Sequence, residues 1–134
     1  MRIVDLMIRE VVTIGPTQML SDVVEIMRRK KIRHLPVVES GKLVGIVTDR
    51  DVKRALPSVF SGDQEEYDRV LNDTPVDKVM TRDPYTVGPR DEVKEALKVM
   101  IERKIGAVPV VSDAALVGIV TDIDFLKAFL KTLK

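Results

Sequence analysis

Leu43-Val44-Gly45-Ile46-Val47-Thr48-Asp49 is written a second time as Leu116-Val117-Gly118-Ile119-Val120-Thr121-Asp122, 73 residues further along the chain. At that offset the match runs without a gap from Asp5 over Lys78 to Pro57 over Leu130, with about 20 identities. An identical heptapeptide inside a gapless alignment of that length marks an internal duplication. The chain is one unit used twice.

The duplication divides the 134 residues into a first repeat at 1–57, an acidic linker at 58–75 and a second repeat at 76–134. Units of roughly 50 residues bury too little surface to be secure alone, so the expectation is one globule with a shared core. Hydrophobic residues make up 45% of the chain, and 22 Lys+Arg against 21 Asp+Glu leave a net charge of +1. That balance gives no general reason to expect nucleic acid or an anionic membrane surface as partner. No apolar run approaches the roughly 20 residues of a membrane-spanning helix, and Met1-Arg2-Ile3-Val4-Asp5 lacks a signal peptide's apolar stretch. The expected location is the cytoplasm. With no cysteine there are no disulfides and no thiolate metal sites.

Each repeat opens on a short apolar lead-in, Ile3 to Met7 and Val76 to Met80, expected to pack against its own repeat. Val11-Val12-Thr13-Ile14 and Tyr85-Thr86-Val87 read as short β-strands stopped by Gly15-Pro16 and Gly88-Pro89. A helix follows each stop. Leu20, Val23, Val24 and Met27 take the i, i+3, i+4, i+7 positions of the first, and Val93, Ala96, Leu97 and Met100 those of the second. Arg28, Arg29, Lys30 and Lys31 close the first helix, where cations suit the dipole.

The apolar runs Leu35 to Val38 and Leu43 to Val47 flank Glu39-Ser40-Gly41-Lys42, a loop of hairpin length containing Gly. Val108 to Val111 and Leu116 to Val120 repeat the pattern around Ser112 to Ala115. Pro36 and Pro109 have no N–H to donate and belong at strand starts or edges. A last helix begins near Thr48-Asp49 and again near Thr121-Asp122; in the second, Phe125, Leu126, Phe129, Leu130 and Leu133 form an apolar stripe that either covers a core or makes a dimer contact. Within the linker, 63–71 reads as a short helix, with five acids between Asp63 and Asp73 against one Arg. Its charged side reads as a solvated face or a contact with a partner or the second unit. Met7, Met27, Met80 and Met100 fall at equivalent repeat positions and read as core filler.

Catalytic constellations are missing. One His and no Cys leave no Cys–His pair and no zinc spacing. His34 lies in no metal motif, and neither a Gly-x-Ser-x-Gly elbow nor a Gly-x-x-x-x-Gly-Lys phosphate loop occurs. No motif places a carboxylate pair, so neither catalysis nor a metal is expected.

Gly-Ile-Val-Thr-x-x-Asp, at Gly45 to Asp51 and Gly118 to Asp124, has two readings. Thr-x-x-Asp just past a strand is a capping-box-like helix start. The same geometry exposes free amides at a helix N-terminus, where an anion is stabilised. There a Thr hydroxyl can bond a phosphate oxygen, and an Asp one turn on can take both hydroxyls of a ribose. Phosphate at the amides and ribose at the acid describe a nucleotide.

These segments resemble a tandem pair of CBS domains, a Bateman module, similar to stand-alone two-repeat proteins of the acetoin-utilisation type. The resemblance rests on the Val-Asp-Leu-Met and Asp-Lys-Val-Met-Thr lead-ins, the Thr-Ile-Gly-Pro and Thr-Val-Gly-Pro turns, Arg-His-Leu-Pro-Val-Val and Gly-Ala-Val-Pro-Val-Val, and both Gly-Ile-Val-Thr-Asp-x-Asp segments. It covers all but the linker and the ends. It implies an α/β (α+β) fold in which two βαββα repeats form one pseudo-two-fold module with a cleft for each unit. Such pairs usually dimerise into a disc. The family's clefts bind AMP, ADP, ATP or S-adenosylmethionine, with no other cofactor, and regulate an attached or separate enzyme or transporter.

Carried over by position, Thr48 would hold phosphate and Asp51 ribose in a first site, with Thr13, Ile14, His34, Leu35 and Pro36 around the base. Thr121 and Asp124, with Thr86, Val87, Ala107, Val108 and Pro109, would form the second. The copies differ at Arg33, His34, Arg50, Lys53 and Arg54, which become Gly106, Ala107, Ile123, Leu126 and Lys127. Guanidinium groups beside a helix start suit a phosphorylated ligand, so Arg50 joins the first site, which is expected to bind nucleotide phosphate more tightly. Otherwise Arg50, Lys53 and Arg54 are a solvated face. His34 would stack on a base or sit as a satisfied polar residue at a strand edge.

Three functional classes follow. A regulatory module would bind an adenosyl ligand, shift the arrangement of its two units and modulate a separately encoded partner, acting as a homodimer. A structural dimerisation module would use Thr-x-x-Asp only as caps. Nucleic-acid binding has only the Arg28 to Arg33 cluster, without interleaved aromatics.

Overall fold

The structure, a computed structural model, describes residues 1–134. In chain order its elements are α1 (Leu20–Lys30), β1 (His34–Glu39), β2 (Lys42–Thr48), α2 (Asp49–Ala55), α3 (Gln64–Asp73), β3 (Thr81–Arg82), α4 (Val93–Arg103), β4 (Ala107–Ser112), β5 (Ala115–Thr121) and α5 (Asp122–Leu130). Short 3-10 turns lie at Ile3–Asp5, Val59–Ser61 and Val76–Lys78. Two compact units result, one of Val12–Asp83 and one of Met1–Val11 with Pro84–Lys134.

In the Val12–Asp83 unit, β1 pairs antiparallel with β2 from His34↔Thr48 to Glu39↔Lys42, shifting register between Val37 and Val38. The turn residues Ser40 and Gly41 both have positive φ, at 51° and 79°. That is the type I′ geometry, whose twist matches the flanking strands. β3 adds to the other side of β2 through Gly45↔Arg82 and Ile46↔Thr81. Helix α1 buries Leu20 and Val23, and Ile26 and Met27 pack on the same core, whereas Val24 is exposed. The expected stripe therefore turns away from Val24.

The unit of Met1–Val11 and Pro84–Lys134 repeats this plan. β4 pairs with β5 from Ala107↔Thr121 to Ser112↔Ala115, with the same shift one residue after Val110. In place of a third strand, Ile8 and Ile119 exchange N–H···O bonds of 2.9 and 3.0 Å. Pro36 and Pro109 sit on strands that have a strand partner on one side only, where a missing N–H breaks no ladder.

Two expectations are corrected. The strands expected at 11–14 and 85–87 shrink to single parallel bridges, Ile14↔Val37 and Val87↔Val110. The ladder stops because the next amide turns inward: Gly15 N donates to Gln18 Oε1 and Gly88 N to Asp91 Oδ2, each at 2.8 Å, and a proline follows.

The lead-ins pack with the opposite copy rather than their own. Ile3 is wholly buried among Val87, Ala96, Met100, Val108, Val110, Val120 and Phe125. Its N–H donates to Asp91 O at 2.9 Å, and Val93 N donates to Met1 O at 3.0 Å. Val76 and Met80 lie instead among Ile14, Leu20, Val23, Leu35, Val37, Val47 and Val52, and Val76 N donates to Gln18 O at 2.7 Å.

Most of the buried apolar side chains fall into two clusters, one within each unit. Each unit completes its own core with the lead-in of the opposite copy. The acidic stretch contributes as well: Asp63 Oδ1 caps α3 by accepting Glu66 N at 3.0 Å, and Val70 and Leu71 pack on the Val12–Asp83 core while the acids stay exposed. No helix is long and apolar enough to cross a membrane.

Candidate functional site

Each unit brings its candidate residues to one end of its hairpin. In the Val12–Asp83 unit, Ile14 N donates to Pro36 O at 3.1 Å and Val38 N to Ile14 O at 2.9 Å, so Thr13 and Ile14 run beside the start of β1. His34 lies opposite Thr48 in the β1–β2 register, and Asp49 N donates to Arg33 O at 3.0 Å. Helix α2 thus starts against the residue that leads into β1. Thr13 and Arg50 are exposed, His34, Thr48 and Asp51 are half-buried, and Ile14, Leu35 and Pro36 are buried.

The second set follows the same plan in the other unit. Val87 N donates to Pro109 O at 3.2 Å, Val111 N to Val87 O at 2.9 Å and Asp122 N to Gly106 O at 2.9 Å, while Ala107 lies opposite Thr121. Thr86, Thr121 and Asp124 are half-buried; Val87, Ala107, Val108 and Pro109 are buried. Leu35 and Val108 put their side chains into the two cores, which leaves only their backbone to border a ligand.

Both Thr-x-x-Asp pairs form a capping box, and the second carries one added bond. Thr48 Oγ1 accepts Asp51 N at 3.1 Å and Asp51 Oδ2 accepts Thr48 N at 3.0 Å, a reciprocal capping box. In the second pair, Asp124 Oδ2 accepts Thr121 N at 2.8 Å but also the Thr121 hydroxyl, at 3.1 Å. A carboxylate only accepts, so the Thr121 hydrogen is committed to it. Both carboxylates bond through Oδ2. Asp51 Oδ2 also takes a long 3.5 Å bond from Thr81 Oγ1, a residue outside the sequence motif. The duplication could not flag Thr81, because its counterpart is Ile8.

The charge difference survives folding. The two ion pairs in the structure are Arg2–Glu92 and Lys98–Glu95. Arg33, Arg50, Lys53 and Arg54 are all exposed and belong to neither. Beside the second set, Tyr85 has its phenol pushed above the ordinary value, first by burial and then by Asp91, against the lowering effect of Arg103. The Arg103 guanidinium lies 5.4 Å from the Tyr85 ring centre. No group of three or more His, Asp or Glu side chains is placed to hold a metal ion.

The family model for the CBS domain matches residues 3–58 and again 76–131. The chain belongs to the CBS-domain family.

Among relatives, this CBS pair is 36% identical over 128 residues to MJ1225 of Methanocaldococcus jannaschii, covering 93% of this chain and 46% of that one. It is 40% identical over 115 residues to an inosine-5'-monophosphate dehydrogenase of Korarchaeum cryptofilum, covering 85% of this chain and 21% of the enzyme. The pair therefore spans less than half of each of these two proteins. Three solved structures match along most of their length. The Vibrio cholerae protein AcuB, named for acetoin utilization, superposes with a TM-score of 0.81 at 34% identity, over 98% of this chain and 92% of AcuB. CBSX2 of Arabidopsis thaliana in complex with AMP gives 0.82 at 27% identity, over 98% and 97%. The CBS pair of MJ0100, in complex with 5'-methylthioadenosine and S-adenosyl-L-methionine, gives 0.82 at 27% identity, over 99% and 98%.

Proposed function

We propose that this CBS pair is a non-enzymatic regulatory module of the cytoplasm. It binds AMP, ADP, ATP or S-adenosylmethionine in its two units, acts as a homodimer and modulates a separately encoded enzyme or transporter. The observation that carries this reading is that the cap engages Thr48 Oγ1 as an acceptor and Asp51 through Oδ2 alone. Thr48 Oγ1 accepts the Asp51 amide, so its own hydrogen can be donated to a phosphate oxygen. Asp51 caps through Oδ2, so Oδ1 can accept from ribose. The backbone of Thr13, Ile14, His34, Leu35 and Pro36 frames the adenine, with the His34 ring beside it. AMP on CBSX2 and S-adenosyl-L-methionine on MJ0100 support the ligand class.

The second site, Thr86, Val87, Ala107, Val108, Pro109, Thr121 and Asp124, differs in kind. The Thr121 hydrogen is held by Asp124, and Ile123 stands where the first site has Arg50. It suits an adenosyl group of low charge, and the first site suits a phosphorylated one. A ligand alters the module's output only through unequal affinity for its conformations.

Isothermal titration with the four ligands, on the wild type and on Asp51→Ala and Asp124→Ala, tests this. Micromolar binding of AMP, ADP or ATP lost in Asp51→Ala is the expected result. No binding up to millimolar concentration, with no co-purified nucleotide, would leave the motifs as helix caps in a structural dimer.

A further inference from the structure

Thr81 and Ile8 occupy the same place in the two copies, 73 residues apart. Each lies beside the second strand of a hairpin at an equivalent residue: Thr81 pairs with Ile46 in the Val12–Asp83 unit, and Ile8 with Ile119 in the other. Both are exposed, so neither fills a core. One carries a hydroxyl and the other does not.

A carboxylate oxygen has two lone pairs to fill. On Asp51 Oδ2 the Thr48 amide takes one at 3.0 Å and the Thr81 hydroxyl takes the other at 3.5 Å. On Asp124 Oδ2 the Thr121 amide takes one at 2.8 Å, and the second goes to the Thr121 hydroxyl at 3.1 Å. Ile8 has nothing to donate there. We propose that this lead-in residue decides which adenosyl ligand each site takes. Thr81 fills Asp51 Oδ2 and leaves the Thr48 hydrogen for a phosphate oxygen, whereas Ile8 leaves Asp124 Oδ2 to claim the Thr121 hydrogen. Thr81 is then a positioning residue that makes the first site selective for phosphorylated ligands, and Ile8 makes the second selective for ligands without phosphate. This assignment rests on the two adenosyl sites proposed above and adds to them a residue that their motif does not contain. Both carboxylates bond the protein through Oδ2, so a ribose contact through Oδ1 is common to the two sites and the difference falls on the phosphate.

Asp124→Ala isolates the first site for titration with AMP and with 5'-methylthioadenosine, which keeps the ribose hydroxyls and has no phosphate. Added to it, Thr81→Val removes the hydroxyl at nearly constant shape. The expected result is a fall of about tenfold in the affinity for AMP relative to 5'-methylthioadenosine, the worth of one hydrogen bond to a charged group. Thr81→Ser should restore the ratio, and a general loosening of the unit would weaken both compounds alike. Conversely, Asp51→Ala isolates the second site, where Ile8→Thr should raise the same ratio. A ratio unchanged by Thr81→Val overturns the assignment while the adenosyl reading stands. A first site that takes neither compound overturns it as well, and the wild-type titration with all four ligands then decides the adenosyl reading separately.

Discussion

Met80 closes over Gly45 so tightly that a Cβ on Gly45 would stand 2.6 Å from Met80 Sδ and 2.8 Å from the Thr81 carbonyl oxygen. Gly118 has the same relation to Met7 Sδ, at 2.8 Å, and to Ile8 O, at 3.0 Å. The glycine at the centre of the repeated heptapeptide is thus required by the lead-in that crosses it. Gly45→Ala is expected to lose about 1–3 kcal/mol, the usual range for overpacking, and Gly118→Ala less. Adding Met80→Ala to Gly45→Ala restores only part, because the Thr81 oxygen belongs to the backbone. Urea denaturation measures all three, and a Gly45→Ala protein as stable as wild type would contradict the close approach.

Exchange of the lead-ins predicts where damage travels. Ile3→Ala removes a wholly buried side chain from the core of the Pro84–Lys134 segment, and Ile→Ala in a core costs about 2–5 kcal/mol. Amide exchange should then accelerate in α4, β4 and β5 more than in α1 and β1, although Ile3 belongs to the first sequence repeat. Val76→Ala should do the reverse. Faster exchange in α1 and β1 on Ile3→Ala would count against the exchanged packing.

The hairpins and the helices after them were legible because each rests on a local pattern: Val-rich runs around a short turn, or apolar positions at helical spacing. The lead-in exchange was not, since Ile3 and Val76, like Met7 and Met80, are so alike that either would suit either core. Pairing across the chain is a tertiary choice that a repeat conceals. The strands expected at 11–14 and 85–87 failed for a local reason, the side chains of Gln18 and Asp91 taking the amides that would have extended the ladder. For the candidate sites, position and residue type were readable from the motif, but the added Thr121–Asp124 side-chain bond was not, because both motifs read Thr-Asp-x-Asp.

The two capping boxes make a measurable contribution to stability. Thr48→Ala removes the acceptor of the Asp51 amide and is expected to cost about 0.5–2 kcal/mol. Thr121→Ala removes the acceptor of a capping box as well, together with a hydroxyl that donates to Asp124, while Asp124 Oδ2 still accepts the Thr121 amide. Its cost should be at least as large in the same denaturation assay, and a Thr121→Ala protein as stable as wild type would mean that the Thr121 hydroxyl does not hold the second cap.

The two hairpin turns supply a second internal comparison. Gly41 and Ala114 are equivalent, with φ of 79° and 67°. An added Cβ at Gly41 would meet nothing within 4 Å, so the difference between them is one of backbone conformation alone. A left-handed conformation costs a residue with Cβ about 1–2 kcal/mol, partly offset by the greater freedom glycine loses on folding. Ala114→Gly should therefore stabilise the protein by roughly 0.5–1 kcal/mol and Gly41→Ala destabilise it by a similar amount. A loss of stability in Ala114→Gly would show that the turn does not hold this geometry.

Tyr85 gives the chain a pH-dependent contribution at the alkaline end. Burial and the nearby Asp91 and Glu95 disfavour the phenolate, and Arg103 opposes them without prevailing. A folded-state pKa above the unfolded one means that the native state holds the proton more tightly. The resulting stability is fully present below the ordinary phenol value of about 10 and is lost as pH rises through the higher folded value. With Tyr67→Phe as background, Tyr85 is the one remaining tyrosine, and ultraviolet titration should place its ionisation above the ordinary value. Replacing Arg103 by Gln should move it higher still, since the one opposing charge is gone. A downward shift on Arg103→Gln would show that the guanidinium does not stabilise the phenolate across the 5.4 Å contact.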